Sequence, residues 1–119
     1  DRLRAAAVRG KNAIYKGDFA ALGEAMIDNT NGQADLHPAL VSEDARKLIE
    51  LAQSFDVQGW KVNGAGGEGG SLTFLFGPES KTKRAFIEAL PGCDPKFQVI
   101  PTYLSRMGLR RWMVEGQAT

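Results

Sequence analysis

Five glycines and one alanine occupy six of the seven positions from 64 to 70, between two apolar segments. Glycine has no Cβ, so it reaches positive φ and lets another backbone or a ligand come close, but it loses more conformational entropy on folding. A loop with this composition is typical of a site where the backbone itself is the contact surface. The flanking residues 57–62 and 72–76 are rich in aromatic and β-branched side chains and predict two strands joined by the loop.

Three well-known glycine-loop nucleotide sites do not fit this context. Gly64, Gly66 and Gly69 satisfy G-x-G-x-x-G, but a dinucleotide site needs a helix after the loop, where a strand is predicted here. A Walker loop ends in Gly-Lys-Ser/Thr, which is missing from this sequence. A protein-kinase loop lies between strands, but the His-Arg-Asp and Asp-Phe-Gly motifs that should follow it are also missing.

The segment Lys61-Val-Asn-Gly-Ala-Gly-Gly-Glu-Gly69 resembles the third conserved motif of the GHMP kinases, the superfamily of galactokinase, homoserine kinase, mevalonate kinase and phosphomevalonate kinase. That motif has the form Lys-hydrophobic-Ser/Thr-Gly-Ala-Gly-Gly-Gly-Gly and precedes an apolar strand. Asn63 replaces the hydroxyl residue of the motif, and Glu68 replaces one glycine. A looser similarity extends from about Asn12 to Trp112.

The resemblance implies the C-terminal domain of an ATP-dependent small-molecule kinase, with a ferredoxin-like α/β sandwich fold. ATP and Mg²⁺ are the cofactors expected of the full-length enzyme. The family's main phosphate loop and its catalytic residues belong to an N-terminal domain that this chain lacks. No catalytic residue is therefore assigned, and the fragment alone is expected to be inactive. Slightly more similarity to sugar kinases of the heptose or fucose type favours a sugar or sugar phosphate as substrate.

By the same resemblance, the loop lies near the ATP phosphates and closes one wall of the cleft. The expected cofactor-binding residues are Gly64, Ala65, Gly66, Gly67, Gly69 and Gly70. Asn63 and Glu68 are candidate substrate residues. For Asn63, a role in bracing the turn is an equal alternative, and Glu68 is a candidate for a solvent-facing turn residue. No metal-binding residues are assigned.

Composition narrows the remaining function classes. Residues 1–119 are the length of a single domain, and 43% hydrophobic with 24% charged residues is ordinary for a globular protein. A net charge of +1 gives no electrostatic reason to expect nucleic acid or a membrane as a partner. No stretch has the roughly 18–20 apolar residues of a membrane span. One cysteine, Cys93, cannot form an internal disulfide and fits the cytoplasm, the expected location.

The pattern along the chain predicts three helices, two strands, a fourth helix and one or two closing strands, at residues 97–100 and 109–114. This order predicts an α+β fold, with helices packed on one face of an antiparallel sheet. Asp18 and Ser42 are expected to cap the second and third helices. Three interruptions are also expected: a soft break in the first helix at Gly10, a turn at Asn31-Gly32, and the end of the fourth helix at Pro91-Gly92.

The alternative to a kinase domain is a stand-alone ferredoxin-like ligand-binding or interaction module without catalytic activity, whose glycine loop only makes a tight turn. The two hypotheses differ in the surface that they predict. A kinase domain separated from its N-terminal partner should expose an apolar surface and could dimerise through it. The N-terminal kinase domain and a small-molecule substrate are the expected partners.

Overall fold

The computed structural model describes residues 2–63 and 70–100. In chain order these residues form α1 (Arg2–Lys16), α2 (Phe19–Leu36), a short 3-10 helix (Pro38–Leu40), α3 (Glu43–Gln53), β1 (Val57–Asn63), β2 (Ser71–Phe76) and α4 (Ser80–Cys93). The two strands are antiparallel and pack against the helices. The α+β prediction is confirmed, and the arrangement is consistent with a small ferredoxin-like fold.

Two helices begin at the side chains that the sequence indicated. The Asp18 carboxylate accepts a hydrogen bond from the Ala21 N–H at 3.0 Å, and the Ser42 hydroxyl accepts one from the Ala45 N–H at 3.2 Å. Each cap satisfies one of the backbone donors that the first turn of a helix leaves without an intrahelical partner.

The three expected interruptions of helices were wrong. α1 runs through Gly10 without a break, and α2 continues through Asn31 and Gly32 to Leu36. Gly32 is buried, and a Cβ there would lie 2.9 Å from the Leu3 side chain of α1, so tertiary packing overrides the turn preference. α4 continues through Pro91 to Cys93. Its final turn is closed by the Asp94 N–H, which donates to the Leu90 carbonyl at 3.1 Å.

Residues 97–100 form no strand, so that prediction was also wrong. A strand needs a neighbour for its backbone groups, and no described strand pairs with this segment. The chain instead turns before it, where the Phe97 N–H donates to the Asp94 carbonyl at 3.2 Å. The other closing strand, at residues 109–114, lies outside the described residues.

The strand register sorts the side chains of the hairpin onto two faces. Val62 pairs with Leu72, and Trp60 pairs with Phe74, which places these four on one face. The opposite face carries four polar side chains, called here the polar hairpin face: Lys61, Asn63, Ser71 and Thr73. The hairpin is therefore amphipathic, with its apolar face toward the helices.

Two hydrophobic clusters hold α3 and α4 on the apolar face of the hairpin. Val41, Ala45 and Val62 form the first cluster. The second is built around Phe86 of α4, whose ring centroid lies 5.1 Å from that of Phe74 and 5.3 Å from that of Phe76. Offset and edge contacts between aromatic rings at this spacing are favourable beyond the area they bury. The prediction of helices on one sheet face is confirmed for this pair of helices.

α2 covers the edge of β1 that does not face β2. A Cβ built on Gly23 would lie 2.2 Å from the Gln58 carbonyl oxygen, and one built on Gly59 would lie 2.4 Å from the Gly23 Cα. Only glycine at both positions permits this approach. Further along, the buried Thr30 hydroxyl accepts from the Val62 N–H at 3.4 Å and lies 3.3 Å from the Trp60 carbonyl oxygen. The helix thus protects an edge that would otherwise be open to pairing.

α1 packs on the other side of α2. Small residues of α1 are buried in this contact, and ion pairs link the two helices. Ala6 and Ala13 are buried between the helices. Arg2 forms ion pairs with Asp28, at 2.9 Å, and with Asp35, and Arg9 forms an ion pair with Asp28. Hydrogen bonds from Arg2 and then from Arg9 lower the pKa of the Asp28 carboxyl group, because they favour its charged form.

Candidate functional site

The glycine loop follows β1 and precedes β2 in the chain, and the two strands pair as a hairpin. Asn63, the last residue of β1, lies opposite Ser71, the first residue of β2. A strand follows the loop, as expected, so no helix N-terminus is available there for a pyrophosphate. Of the candidate phosphate-contacting residues, only Gly70 is described, and it is exposed. Gly64, Ala65, Gly66, Gly67, Glu68 and Gly69 lie outside the described residues, and their predicted roles stay predictions.

Asn63 links the two strands at the base of the loop. Its side-chain nitrogen donates to the Thr73 hydroxyl at 2.8 Å and lies 3.3 Å from the Ser71 hydroxyl. Within the described part of the chain, its side-chain oxygen has no hydrogen-bond partner. The amide therefore braces the hairpin with its donor side, while no described residue occupies its acceptor side, so both roles considered for Asn63 are chemically open to it.

Lys61 places a positive charge on the same polar hairpin face. Its ammonium group donates to the Asn29 side-chain oxygen at 3.0 Å and to the Val62 carbonyl at 3.1 Å. Both acceptors are neutral, and no described carboxylate pairs with this half-buried cation. An ammonium group has three donors, so Lys61 keeps the capacity to bind one further acceptor.

Together the polar hairpin face offers an ammonium group, an amide and two hydroxyls beside a glycine-rich loop. These groups suit an oxygen-rich ligand, because cationic and hydroxyl donors form hydrogen bonds to phosphate or sugar oxygens. Sequence reasoning found Asn63 but missed the contact between Asn29 and Lys61. The alternation of Lys61 with the apolar Trp60 and Val62 indicates that Lys61 lies on the polar face of the strand. Nothing local in the sequence places Asn29 beside it.

A second concave region lies between α2, α3 and β1, on the apolar side of the hairpin. This cleft has a volume of about 460 Å³ and is lined in part by Trp60. The Trp60 side chain is half-buried and makes no ring contact with a described aromatic residue.

Other residues with chemical potential lie apart from the hairpin. His37 is exposed at the C-terminal end of α2, and Cys93 is an exposed free thiol in the last turn of α4. The described residues include no group of three or more His, Cys, Asp or Glu side chains placed to hold a metal ion. No helix in the described ranges combines the length and apolar character needed to cross a membrane.

Comparisons with family models, with curated proteins and with solved structures found no significant match to this chain. The similarity to the GHMP kinase motif therefore rests on the residues of the loop and its flanks.

Proposed function

We propose that the chain is the C-terminal domain of an ATP-dependent small-molecule kinase, with a sugar or sugar phosphate as the favoured substrate class. The observation that carries the proposal is the placement of the GHMP-like segment. The glycine run joins two paired antiparallel strands, and the lysine and asparagine that precede it lie on one polar face.

Phosphoryl transfer depends mainly on positioning and on neutralising charge, so a loop that presents backbone amides from a fixed base suits it. The base is fixed here by the pairing of Asn63 with Ser71 and by the hydrogen bond from Asn63 to Thr73. The glycine loop would form one wall of the nucleotide cleft. Asn63 and Glu68 would face the substrate, and the ATP, Mg²⁺ and catalytic groups would be held largely by the N-terminal domain.

Exposed apolar side chains where α1 meets α2 support the proposal that a partner domain covers this surface. Ile14 and Tyr15 at the end of α1 and Phe19 at the start of α2 are 64%, 82% and 60% exposed. We call these three residues the α1–α2 patch. The three residues lie within six positions of the chain, and exposed apolar groups that form one patch mark contacts with another protein surface, whereas single exposed side chains are ordinary. In the proposed enzyme, the patch would be covered by the N-terminal domain.

The test is an ATP-dependent phosphorylation assay on the full-length product of the gene that encodes this chain, with a panel of monosaccharides and their phosphates. Gly66→Ala is expected to lower kcat/KM by about ten- to a hundredfold, since small displacements at a reacting centre have effects of this size. Gly92→Ala is the matched control, because a Cβ at Gly92 meets no atom of the described residues within 4 Å. Its kcat/KM should equal that of the wild type.

Two results would reject the proposal. One is the absence of ATP-dependent transfer to any member of the panel by the folded full-length protein. The other is robust phosphotransfer by the 119-residue chain alone, because the proposal assigns the catalytic groups to the other domain.

A further inference from the structure

The cleft between α2, α3 and β1 combines an aromatic wall with an apolar interior. Trp60 of β1 provides the wall, and Ala34, Val41 and Ile49 contribute aliphatic surface. Among the described residues, the Trp60 indole N–H donates no hydrogen bond and no aromatic ring packs on the indole; its backbone carbonyl faces the Thr30 hydroxyl. A tryptophan N–H that is at least partly withdrawn from water usually finds a partner, and a ligand hydroxyl suits that role.

The rim of the cleft is polar and belongs mostly to one face of α3. Arg46, Glu50 and Gln53 follow one another at helical spacing, and Asn31 approaches from α2. All four are exposed. Arg46 and Glu50 are one turn apart, yet neither forms an ion pair within the described part of the chain. Within residues 2–63 and 70–100, nothing therefore neutralises either charge.

We propose that this cleft binds a neutral, hydroxylated ring of monosaccharide size, with the ring stacked on Trp60 and its hydroxyls bonded to the rim. The volume of about 460 Å³ lies within the range of small-molecule sites. Hydroxyl groups both donate and accept, and the rim offers donors on Arg46, acceptors on Glu50, and both on Asn31 and Gln53.

The charges of the rim argue for a neutral ligand. An anion attracted to Arg46 would be repelled by the nearby Glu50, and a cation attracted to Glu50 would be repelled by Arg46. A ligand with a net charge therefore gains little binding energy from this pair. A flat nucleobase is disfavoured for a different reason. A base has two apolar faces to cover, and among the described residues only Trp60 offers the cleft an aromatic surface.

This site is separate from the glycine loop. Trp60 lies on the apolar face of the hairpin and Asn63 on the polar face, about 10 Å apart along the strand at the usual rise per residue. Binding in the cleft therefore requires neither ATP nor the N-terminal domain. The proposal goes beyond the kinase function, and failure of one leaves the other standing.

The test is an NMR titration of the ¹⁵N-labelled 119-residue chain with D-galactose, D-mannose, L-fucose and myo-inositol at millimolar concentrations. The chain has two tryptophans, so a Trp112→Phe variant identifies the Trp60 indole resonance. At least one of these compounds should shift that resonance in a saturable way. Arg46→Ala should weaken the binding about tenfold, as expected for one hydrogen bond to a charged group. Arg4→Ala, an exposed arginine on α1, should leave the affinity unchanged.

Trp60→Ala removes the stacking surface and should abolish the shift of rim resonances. If that variant does not fold, Arg46→Ala decides the question, because Arg46 is exposed on a helix surface. Three results would overturn the proposal: no probe perturbs Trp60 in a chain with a folded spectrum, Arg46→Ala and Arg4→Ala behave alike, or adenosine saturates the site while all four polyols fail.

Discussion

The meeting of Gly23 and Gly59 sets the distance between α2 and the sheet. A Cβ at Gly23 would lie 2.2 Å from the Gln58 carbonyl oxygen, a backbone atom that cannot rotate away. Gly23→Ala should therefore lower the free energy of unfolding by about 1–3 kcal/mol, the usual range for overpacking, despite the better helix propensity of alanine. Urea denaturation followed by circular dichroism measures the change.

Gly10→Ala is the matched control for Gly23→Ala, since both glycines lie inside helices. A Cβ at Gly10 would lie 3.7 Å from the Ala25 Cβ, an ordinary van der Waals contact. This variant should be more stable than the wild type by about 0.5–1 kcal/mol, because alanine has the higher helix propensity. Equal destabilisation by the two variants would contradict the close approach of α2 to β1.

Thr30 links α2 to the edge of β1 through its hydroxyl. The group lies within hydrogen-bond distance of the Met26 carbonyl oxygen, the Trp60 carbonyl oxygen and the Val62 N–H. Thr30→Val keeps the shape but leaves the buried Val62 N–H without this acceptor, which should destabilise the fold by about 1–3 kcal/mol. Thr30→Ser retains the hydroxyl and should recover much of that loss in the same denaturation assay. A valine variant as stable as the wild type would show that the hydroxyl contributes nothing to this contact.

At the scale of elements, the Phe86 side chain packs α4 against the hairpin. Its ring contacts Phe55, Phe74 and Phe76, and its side chain is only 4% exposed. Phe86→Ala should lower the free energy of unfolding by about 3–5 kcal/mol. Phe19→Ala is the control, because Phe19 is 60% exposed and its loss should change stability by no more than about 0.5 kcal/mol. Thermal or urea unfolding of the two variants compares them directly, and similar losses would contradict the described packing of α4.

The attachment of α1 to α2 should depend on pH. The pKa of Asp28 is lowered in the folded chain by its hydrogen bonds to Arg2 and Arg9. The charged carboxylate therefore stabilises the fold above the ordinary aspartate pKa of about 3.9, and this contribution is lost as the pH falls through the lower folded-state value. Asp28→Asn should flatten the acid limb of the stability curve, measured as melting temperature between neutral and acidic pH.

Glu24→Gln is the control for Asp28→Asn, since Glu24 also lies on α2 but forms no ion pair with the described residues. Its acid limb should match that of the wild type. Because the charges are exposed to solvent, high salt should also shrink the difference between Asp28→Asn and the wild type. An acid limb unchanged in Asp28→Asn would show that these ion pairs contribute nothing to folding.

Local chemistry predicted the four helices and the two strands of the hairpin, but not all of their ends, and it also predicted a strand at residues 97–100 that does not form. Asp18 and Ser42 each precede an apolar stripe at helical spacing, and this combination predicts a helix start. The strand-like residues on both sides of the glycine run predict a hairpin. Asn31-Gly32 misled because its turn preference is worth less than the packing of Gly32 against Leu3, a contact between residues far apart in sequence. Residues 97–100 have strand-like composition, but a strand also requires a partner that composition cannot identify.

The candidate sites divide in the same way. The loop and Asn63 were visible in the sequence because a motif needs only neighbouring residues. The hydrogen bond from Lys61 to Asn29 joins residues 32 positions apart. The Trp60 cleft likewise depends on how α2 and α3 approach β1. Such features follow from tertiary packing, and no local pattern encodes them.

At the scale of the whole molecule, α2 is the central element, with α1 on one side and the edge of β1 on the other. This arrangement leaves the end of α1 and the start of α2 at the surface, where the α1–α2 patch of Ile14, Tyr15 and Phe19 lies. The buried residues of α1 are alanines, and the larger apolar side chains at its C-terminal end, Ile14 and Tyr15, remain exposed. A chain built this way gains stability by covering that patch with another protein surface.

When no other domain is supplied, the covering surface should be a second copy of the chain. The 119-residue chain is therefore expected to associate as its concentration rises, which sedimentation velocity detects as an increasing weight-average mass. Replacing both Tyr15 and Phe19 with serine should shift the association to at least about tenfold higher concentration, because two large apolar groups leave the contact. The melting temperature of the dilute monomer should change little, since both side chains are exposed.

Leu36→Ser tests specificity, because Leu36 is 65% exposed at the opposite end of α2. Equal effects of Leu36→Ser and the double variant would indicate non-specific hydrophobic association. A chain that stays monomeric at every concentration would contradict the role of the α1–α2 patch as a contact surface.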